Sequence, residues 1–334
     1  MRILIRCDIG GRAGMGRASR MRALAWALRT RGAEVRFTTT TPALARFALP
    51  FTIELGEQPY YLRQRHYVPD IFVVDTAHET EEYQWLGLRQ YFRVVRIDIL
   101  AKPETCDLFI MPNAHQSPLT ITRLETDFPG CVLHGWDYVM LDAEVTQQAP
   151  ISYATRQDSP IVFCAGGSDP DGTLERMYDW AVDLDIPTQL LFCFGTASQG
   201  ILRQRYEAQD GESLCTSGNR YIMPFARRYL RQAALVVGMF GQTTYECLWY
   251  QMPMLSLARN KEDSCCAQRL QHSTRGAVQS GLQFAYHTEK SFCRTVFAYW
   301  HDVQERQRMH AASIGLFDGR GTERVADAIM QLGA

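Results

Sequence analysis

Three stretches of this sequence combine residue types suited to holding an anion. The first is Asp8 to Gly16, which contains Gly10, Gly11, Gly14 and Gly16. Glycines at a strand-to-helix turn let backbone N–H groups approach an anion closely, and the helix that follows adds a favourable dipole. A tight turn at positive φ would explain one glycine more easily than four. The second stretch is Gly166–Gly167–Ser168–Asp169. Its glycines, hydroxyl and helix start would form a diphosphate cradle, and Ser168 or Asp169 could also cap the helix. The third runs from Gly238 through Phe240, Gly241, Thr243 and Thr244 to Glu246. Both threonines can donate to phosphate oxygens, and a carboxylate at 246 can accept both hydroxyls of a ribose. Thr243 and Glu246 also have the spacing of a capping box, so the two readings coexist.

The acid–base candidates are Asp8, Asp75, His78, Asp98 and His115. Asp75 ends the apolar run Ile71–Val74, where a carboxylate either serves chemistry or caps a loop. The histidines fall in polar stretches after strands, where an ordinary surface role competes with catalysis. The first glycine loop lacks GxGxxG spacing, and no acidic residue ends the second strand, which argues against a dehydrogenase. HExxH, CxxC and GxSxG are absent, so neither a metal site nor an α/β-hydrolase triad is expected. No cofactor is implied.

The elements that would carry these residues alternate. Arg2–Asp8, Glu34–Thr39, Ile71–Asp75, Arg93–Asp98 and Leu108–Met111 read as strands. Helices are expected over Arg17–Arg31, after Pro42, and around Glu81–Tyr91. In the first of these helices, Met21, Leu24, Ala25 and Leu28 recur at helical spacing before Gly32. Periodicity fades from about Tyr138 to Ser159, which reads as a linker. It restarts with the strand Pro160–Ala165 and a helix over Thr173–Leu184. The strands Gln189–Phe194, Leu235–Gly238 and Met254–Ala258 follow, and a last helix covers Thr322–Met330. Such alternation implies βαβ units and parallel sheets, whose ligands bind beyond the carboxyl ends of the strands. The fold class is α/β.

Length and composition fit this plan. A chain of 334 residues exceeds the roughly 250–300 at which single cores stop growing, so two domains are expected. The chain is 46% hydrophobic with a net charge of −1, so it lacks the basic excess of a nucleic-acid-binding domain. Arginine far outnumbers lysine, which suits phosphate or carboxylate recognition. Ten cysteines without a CxxC pair, several inside apolar runs, read as reduced thiols rather than disulfides. A strand begins at Ile3, which leaves no room for a signal peptide, and no apolar run approaches the roughly 20 residues of a membrane span. A cytoplasmic location is the expectation. Tyr60, Tyr61, Arg63 and Arg65 read as a solvated loop, with an acceptor- or membrane-facing patch as the other reading.

These motifs together resemble the UDP-sugar hydrolase family of the pseudaminic acid pathway. The likeness runs through RILIRCDIGGRAGMGRASR, VVDTAHE, RIDILAKPETCDLFIMPNA, HGWDYVML, FCAGGSDPDG, GQTTYECLWYQMPML and FDGRGTERVADAI, in order along most of the chain. That family is similar in turn to GT-B glycosyltransferases, including the peptidoglycan N-acetylglucosaminyltransferase. The resemblance implies two Rossmann-like domains with parallel sheets facing a central cleft. Residues 1–145 would serve the acceptor or water side and 155–315 the nucleotide-sugar. Residues 316–334 would form a C-terminal helix that could cross back to the first domain. It further implies Gly14 and Gly16 in the first-domain loop, and Gly166, Gly167 and Ser168 near the diphosphate. Phe240, Gly241, Thr243 and Thr244 would line the same site, with Glu246 on the ribose.

Two positions depart from the family pattern. Where the family has G-x-G-H, with a histidine regarded as the base that activates water, this chain has Gly14–Met15–Gly16–Arg17. A guanidinium, with a pKa above about 12, cannot accept a proton at neutral pH. Where the family tends to have Asn-Gln, this chain has Asn260–Lys261. Three functions remain open: a glycosyltransferase of surface glycan or glycoconjugate synthesis, favoured here; a hydrolase using Asp8, Asp75 or His78 as base; and an inactive nucleotide-sugar-binding protein. The acceptor is not identified, and peripheral contact with a membrane surface is left open.

Overall fold

A computed structural model describes the chain except residues 9–14, 42–49, 56–67, 77–88, 90, 98–105, 129–131, 157, 210–213 and 334. It divides into two units, Met1–Ala143 with Phe317–Ala334, and Glu144–Leu316.

The first unit holds seven strands: β1 Arg2–Cys7, β2 Glu34–Thr39, β3 Thr52–Leu55, β4 Ile71–Asp75, β5 Arg93–Ile97, β6 Leu108–Met111 and β7 Val132–His134. They pair in parallel in the order β3-β2-β1-β4-β5-β6-β7. The order reverses at β1/β4. A parallel sheet needs both faces covered, which is why β4, IFVVD, is buried at every position. Helix α1, Gly16–Thr30, covers one face with Met21, Leu24, Ala25 and Leu28. It ends where Gly32 adopts φ +84°, a conformation that favours glycine.

The C-terminal helix Gly321–Leu332 packs on α1, with Val325, Ala326 and Ile329 in the same core. Arg31 Nε donates to Asp327 Oδ1 at 2.6 Å, and Thr322 Oγ1 donates to the Leu141 carbonyl at 2.8 Å. A Cβ at Gly321 would fall 2.2 Å from the Val139 carbonyl oxygen, so only glycine permits this approach.

The second unit carries β8 Ile161–Cys164, β9 Leu190–Phe194, β10 Leu214–Ser217, β11 Arg220–Pro224, β12 Leu235–Met239, β13 Met254–Ala258 and β14 Val278–Gln283. Their order is β10-β11-β9-β8-β12-β13-β14, parallel except for β10 against β11. Here the order reverses at β8/β12. The stretch expected as a linker is anchored from residue 144 onward. Arg156, 2% exposed, donates to the carbonyls of Tyr250 (3.3 Å) and Gln251 (2.7 Å). The described cysteines are free thiols, and Cys164, Cys193 and Cys247 are buried. No helix of the described residues is long and apolar enough to cross a membrane.

Candidate functional site

In an open α/β sheet the carboxyl ends of the strands at an order reversal leave a crevice, because adjacent connections depart to opposite faces. Each unit has one such point, and each brings together residues that the sequence analysis separated.

In the second unit the point lies between β8 and β12. Gly166 follows β8 with φ +92°. Gly167 faces the end of β9 closely: Ala197 N–H donates to its carbonyl at 2.9 Å, and a Cβ on Gly195 would lie 2.3 Å from that oxygen. Ser168 is buried beside them. Asp169 caps a helix, because its two carboxylate oxygens accept the N–H groups of Thr173 and Leu174, both at 2.9 Å. The helix is Thr173–Trp180 rather than Thr173–Leu184, and a 3-10 turn covers Ala181–Asp183.

From β12, Phe240 N–H continues the ladder to the Leu257 carbonyl at 2.8 Å. Helix Gln242–Trp249 then starts with Gly241 as its N-cap and no acidic residue in its first turn. The expected Thr243–Glu246 capping box does not form. The cap falls two residues earlier, and it is Thr244 whose hydroxyl reaches back to accept Gly241 N–H at 3.2 Å. Thr244 is buried and Thr243 half-buried. Glu246, 4% exposed, accepts from Arg227 Nε at 3.3 Å, and Arg227 Nη1 donates to Glu144 at 2.6 Å. A buried carboxylate of this kind needs a charged partner to remain ionised.

After β13, Asn260 caps helix Lys261–Ser273 by accepting Asp263 N–H at 2.8 Å, and Lys261 is exposed at its first position. Arg259, just before them, was not singled out from sequence. Its Nη2 donates to the Ala165 carbonyl at 2.8 Å, beside Gly166. Its position directly after an apolar strand was the available signal.

In the first unit the point lies between β1 and β4. Asp75, 0% exposed, is paired in register with Cys7. Its two oxygens accept from Arg20 Nε at 2.6 Å and Arg20 Nη2 at 2.8 Å, and Arg17 Nε lies 3.3 Å from Oδ1. Arg20, three residues beyond Arg17 on α1, was also missed, although that spacing puts both guanidiniums on one helix face.

Asp8 follows β1. Its Oδ1 accepts the Thr40 N–H (2.9 Å) and the hydroxyls of Thr39 (3.0 Å) and Thr40 (2.8 Å). Arg6 Nη2 donates to Oδ2 at 3.1 Å. Burial alone would raise the Asp8 pKa. The Thr40 N–H, the Arg6 charge and the two hydroxyls outweigh it and hold the carboxyl below its ordinary value. Gly16 is the first residue of α1, and His115 lies between β6 and helix Pro118–Asp127. Gly10, Gly11, Gly14, Tyr60, Tyr61, Arg63, Arg65, His78 and Asp98 lie outside the described residues, as do the stretches expected as helices after Pro42 and over 81–88. Among the described residues, no group of three or more His, Cys, Asp or Glu is placed to hold a metal ion.

No family model matches the chain, and no curated protein does. Solved structures do. The chain is similar to spinosyn rhamnosyltransferase SpnG complexed with thymidine diphosphate, with TM-score 0.65 and 18% identity over 100% of both chains. MurG of Acinetobacter baumannii gives TM-score 0.61 and 14% identity over 99% of each. The S. aureus MnaA–UDP co-structure gives 0.65 and 13%, over 99% of this chain and 96% of that one. Likeness at these identities establishes the fold, the two-domain α/β arrangement of GT-B glycosyltransferases. The narrower resemblance to the pseudaminic-acid-pathway hydrolase rests on the sequence motifs alone.

Proposed function

We propose that this protein is a glycosyltransferase of the GT-B type, which cleaves the anomeric C–O–phosphate bond of a nucleotide-sugar. UDP-sugars are the first donors to try, and TDP-sugars the second. The observation that carries this reading is the second unit's order reversal. There a glycine loop, a helix start free of acidic residues, an arginine and a buried carboxylate converge. Gly166, Gly167, Ser168, Gly241 and Thr243 would hold the diphosphate through backbone N–H and hydroxyl groups. Thr244 would brace that turn, Phe240 would form its floor, and Glu246 would accept the ribose hydroxyls. Asn260 and Lys261 would face the sugar. Spinosyn rhamnosyltransferase and MnaA, which share the fold, have been solved with thymidine diphosphate and UDP respectively.

In the step itself an acceptor hydroxyl oxygen bonds to the anomeric carbon. The bond from that carbon to the phosphate oxygen breaks, and its electron pair stays on the departing nucleoside diphosphate. The hydroxyl proton passes to a base. Asp8 and Asp75 are poor bases, since their oxygens already accept charge-assisted bonds from arginines. His78, three residues past Asp75 in the chain, is the better candidate. Arg17, held by Asp75, would bind an acidic group rather than move a proton. These engaged carboxylates weigh against a hydrolase that uses Asp8 or Asp75 as base, and the donor assay separates transfer from hydrolysis through His78.

The test is a panel of UDP-, GDP-, TDP- and CMP-sugars assayed for nucleotide release, first alone and then with candidate acceptor glycans. The reading expects binding of one donor, negligible release alone, release on adding an acceptor, and loss of transfer in His78→Ala. Rapid release without acceptor would contradict it and establish a hydrolase.

A further inference from the structure

In the second sheet β12 lies between β8 and β13. Two strand spacings, about 9–10 Å, separate those outer strands. Arg259, the first residue after β13, nevertheless bonds the carbonyl of Ala165, the first residue after β8, at 2.8 Å. Its side chain must therefore cross the carboxyl end of β12, over the order reversal itself. The same Nη2 sits 2.8 Å from where a Cβ on Gly166 would be, so the missing side chain at 166 admits the guanidinium.

One N–H of the fork is thus used to fix its position. Among the described residues, the side chain makes no other hydrogen bond and no ion pair. Asp263, the acidic residue beside it, accepts the backbone N–H of Arg259 at 3.4 Å and not its guanidinium. Arginines Arg6, Arg20 and Arg227 all have carboxylate partners within 3.3 Å. Arg259 is instead an exposed cation, anchored through a neutral carbonyl, at the mouth of a glycine loop.

We propose that Arg259 is a diphosphate clamp, and this rests on the donor-binding reading above. Its remaining N–H groups take non-bridging oxygens of a nucleoside diphosphate, and its charge offsets the charge left on the phosphate when the anomeric C–O bond breaks. A planar fork matches two phosphate oxygens at once, which a lysine ammonium cannot do. The carbonyl anchor holds that fork in place before the ligand arrives.

Calorimetric titration with UDP, TDP, uridine and thymidine tests this on three full-length proteins: wild type, Arg259→Gln and Arg259→Lys. A fourth, Arg294→Gln, removes the same charge from the exposed face of helix Glu289–His301. The clamp predicts that Arg259→Gln weakens the preferred nucleoside diphosphate by roughly 10–100-fold and leaves the weak binding of its nucleoside unchanged. Arg259→Lys restores part of the loss, and Arg294→Gln binds as wild type does. Circular dichroism checks that each variant is folded. Wild-type diphosphate affinity in Arg259→Gln overturns the clamp alone. A wild-type protein that binds no nucleoside diphosphate overturns the clamp together with the donor-binding reading.

Discussion

The two order reversals share a plan and differ in how their charges are settled. At β1/β4 the carboxylates Asp8 and Asp75 are saturated by Arg6, Arg17, Arg20 and two threonines. At β8/β12 the buried carboxylates Asp169 and Glu246 are engaged by helix N–H groups and by Arg227, while Arg259 bonds the Ala165 carbonyl and touches Asp263 only through its backbone N–H. At its order reversal unit 1 pairs Arg6, Arg17 and Arg20 with carboxylates, whereas Arg259 of unit 2 bonds a carbonyl and, on our proposal, keeps its remaining N–H groups for a ligand. Repeating a βαβ plan therefore does not repeat its chemistry. What decides the chemistry is which charges reach the strand ends already neutralised.

Substitutions at the two reversals test how each settles its charge. The largest effect is expected at Asp75, which is 0% exposed. Asp75→Ala removes the carboxylate between two guanidiniums and should destabilise the protein by about 3–5 kcal/mol in urea unfolding. A loss below about 1 kcal/mol would mean that the ion pairs of unit 1 are not structural. Next is Gly195→Ala, whose Cβ would fall 2.3 Å from the Gly167 carbonyl oxygen and 2.4 Å from its Cα. The backbone must shift, at a cost of about 1–3 kcal/mol. Because the shift is in the glycine loop, nucleoside diphosphate affinity should fall as well. Asp169→Ala should lower stability by about 0.5–2 kcal/mol through the lost helix cap. Its effect on ligand affinity should be smaller than that of Gly195→Ala.

The smallest effects are in pH. His287 is buried, and desolvation holds its imidazole pKa below the ordinary value. The unfolded chain then binds the extra proton first, so this group's contribution is complete above about pH 6.5 and falls as pH drops below it. Asp8 is also held low, so its contribution is complete above the ordinary carboxylate pKa of about 4 and is lost as pH falls further. Unit 2 should accordingly weaken first on acidification. Stability measured against pH for His287→Phe should flatten the upper window, and Asp8→Asn the lower. Flattening of the wrong window by either variant would refute the assignment.

Apolar runs made much of this architecture legible. β4, β8, β9, β12 and β13 are buried at every position and read clearly as strands, all but β13 ending at or within two residues of a glycine or a carboxylate. The edge strands β3, β7, β10 and β14, and β11 near the edge, were not legible. They mix polar with apolar residues and gain their order from a neighbour rather than from their own composition. The glycine loops were found because glycine marks backbone that other residues rarely adopt. The partners of the charged groups were invisible: Arg20 bonds Asp75 across 55 residues and Arg259 bonds Ala165 across 94, and no local spacing encodes either. The capping box was misjudged because Gly241, which has no capping side chain, takes the N-cap, so the helix starts at Gln242 and Thr244 rather than Glu246 reaches back to the cap.

A crystal structure with whichever of UDP or TDP binds more tightly would show which order reversal holds the nucleotide. We expect the two phosphates within hydrogen-bonding distance of the backbone at Gly167, Ser168 and Thr243 and of the Arg259 guanidinium, with the ribose at Glu246. Phosphates bound instead at Arg17 and Arg20, beyond β1 and β4, would contradict this placement and assign the nucleotide to the first unit.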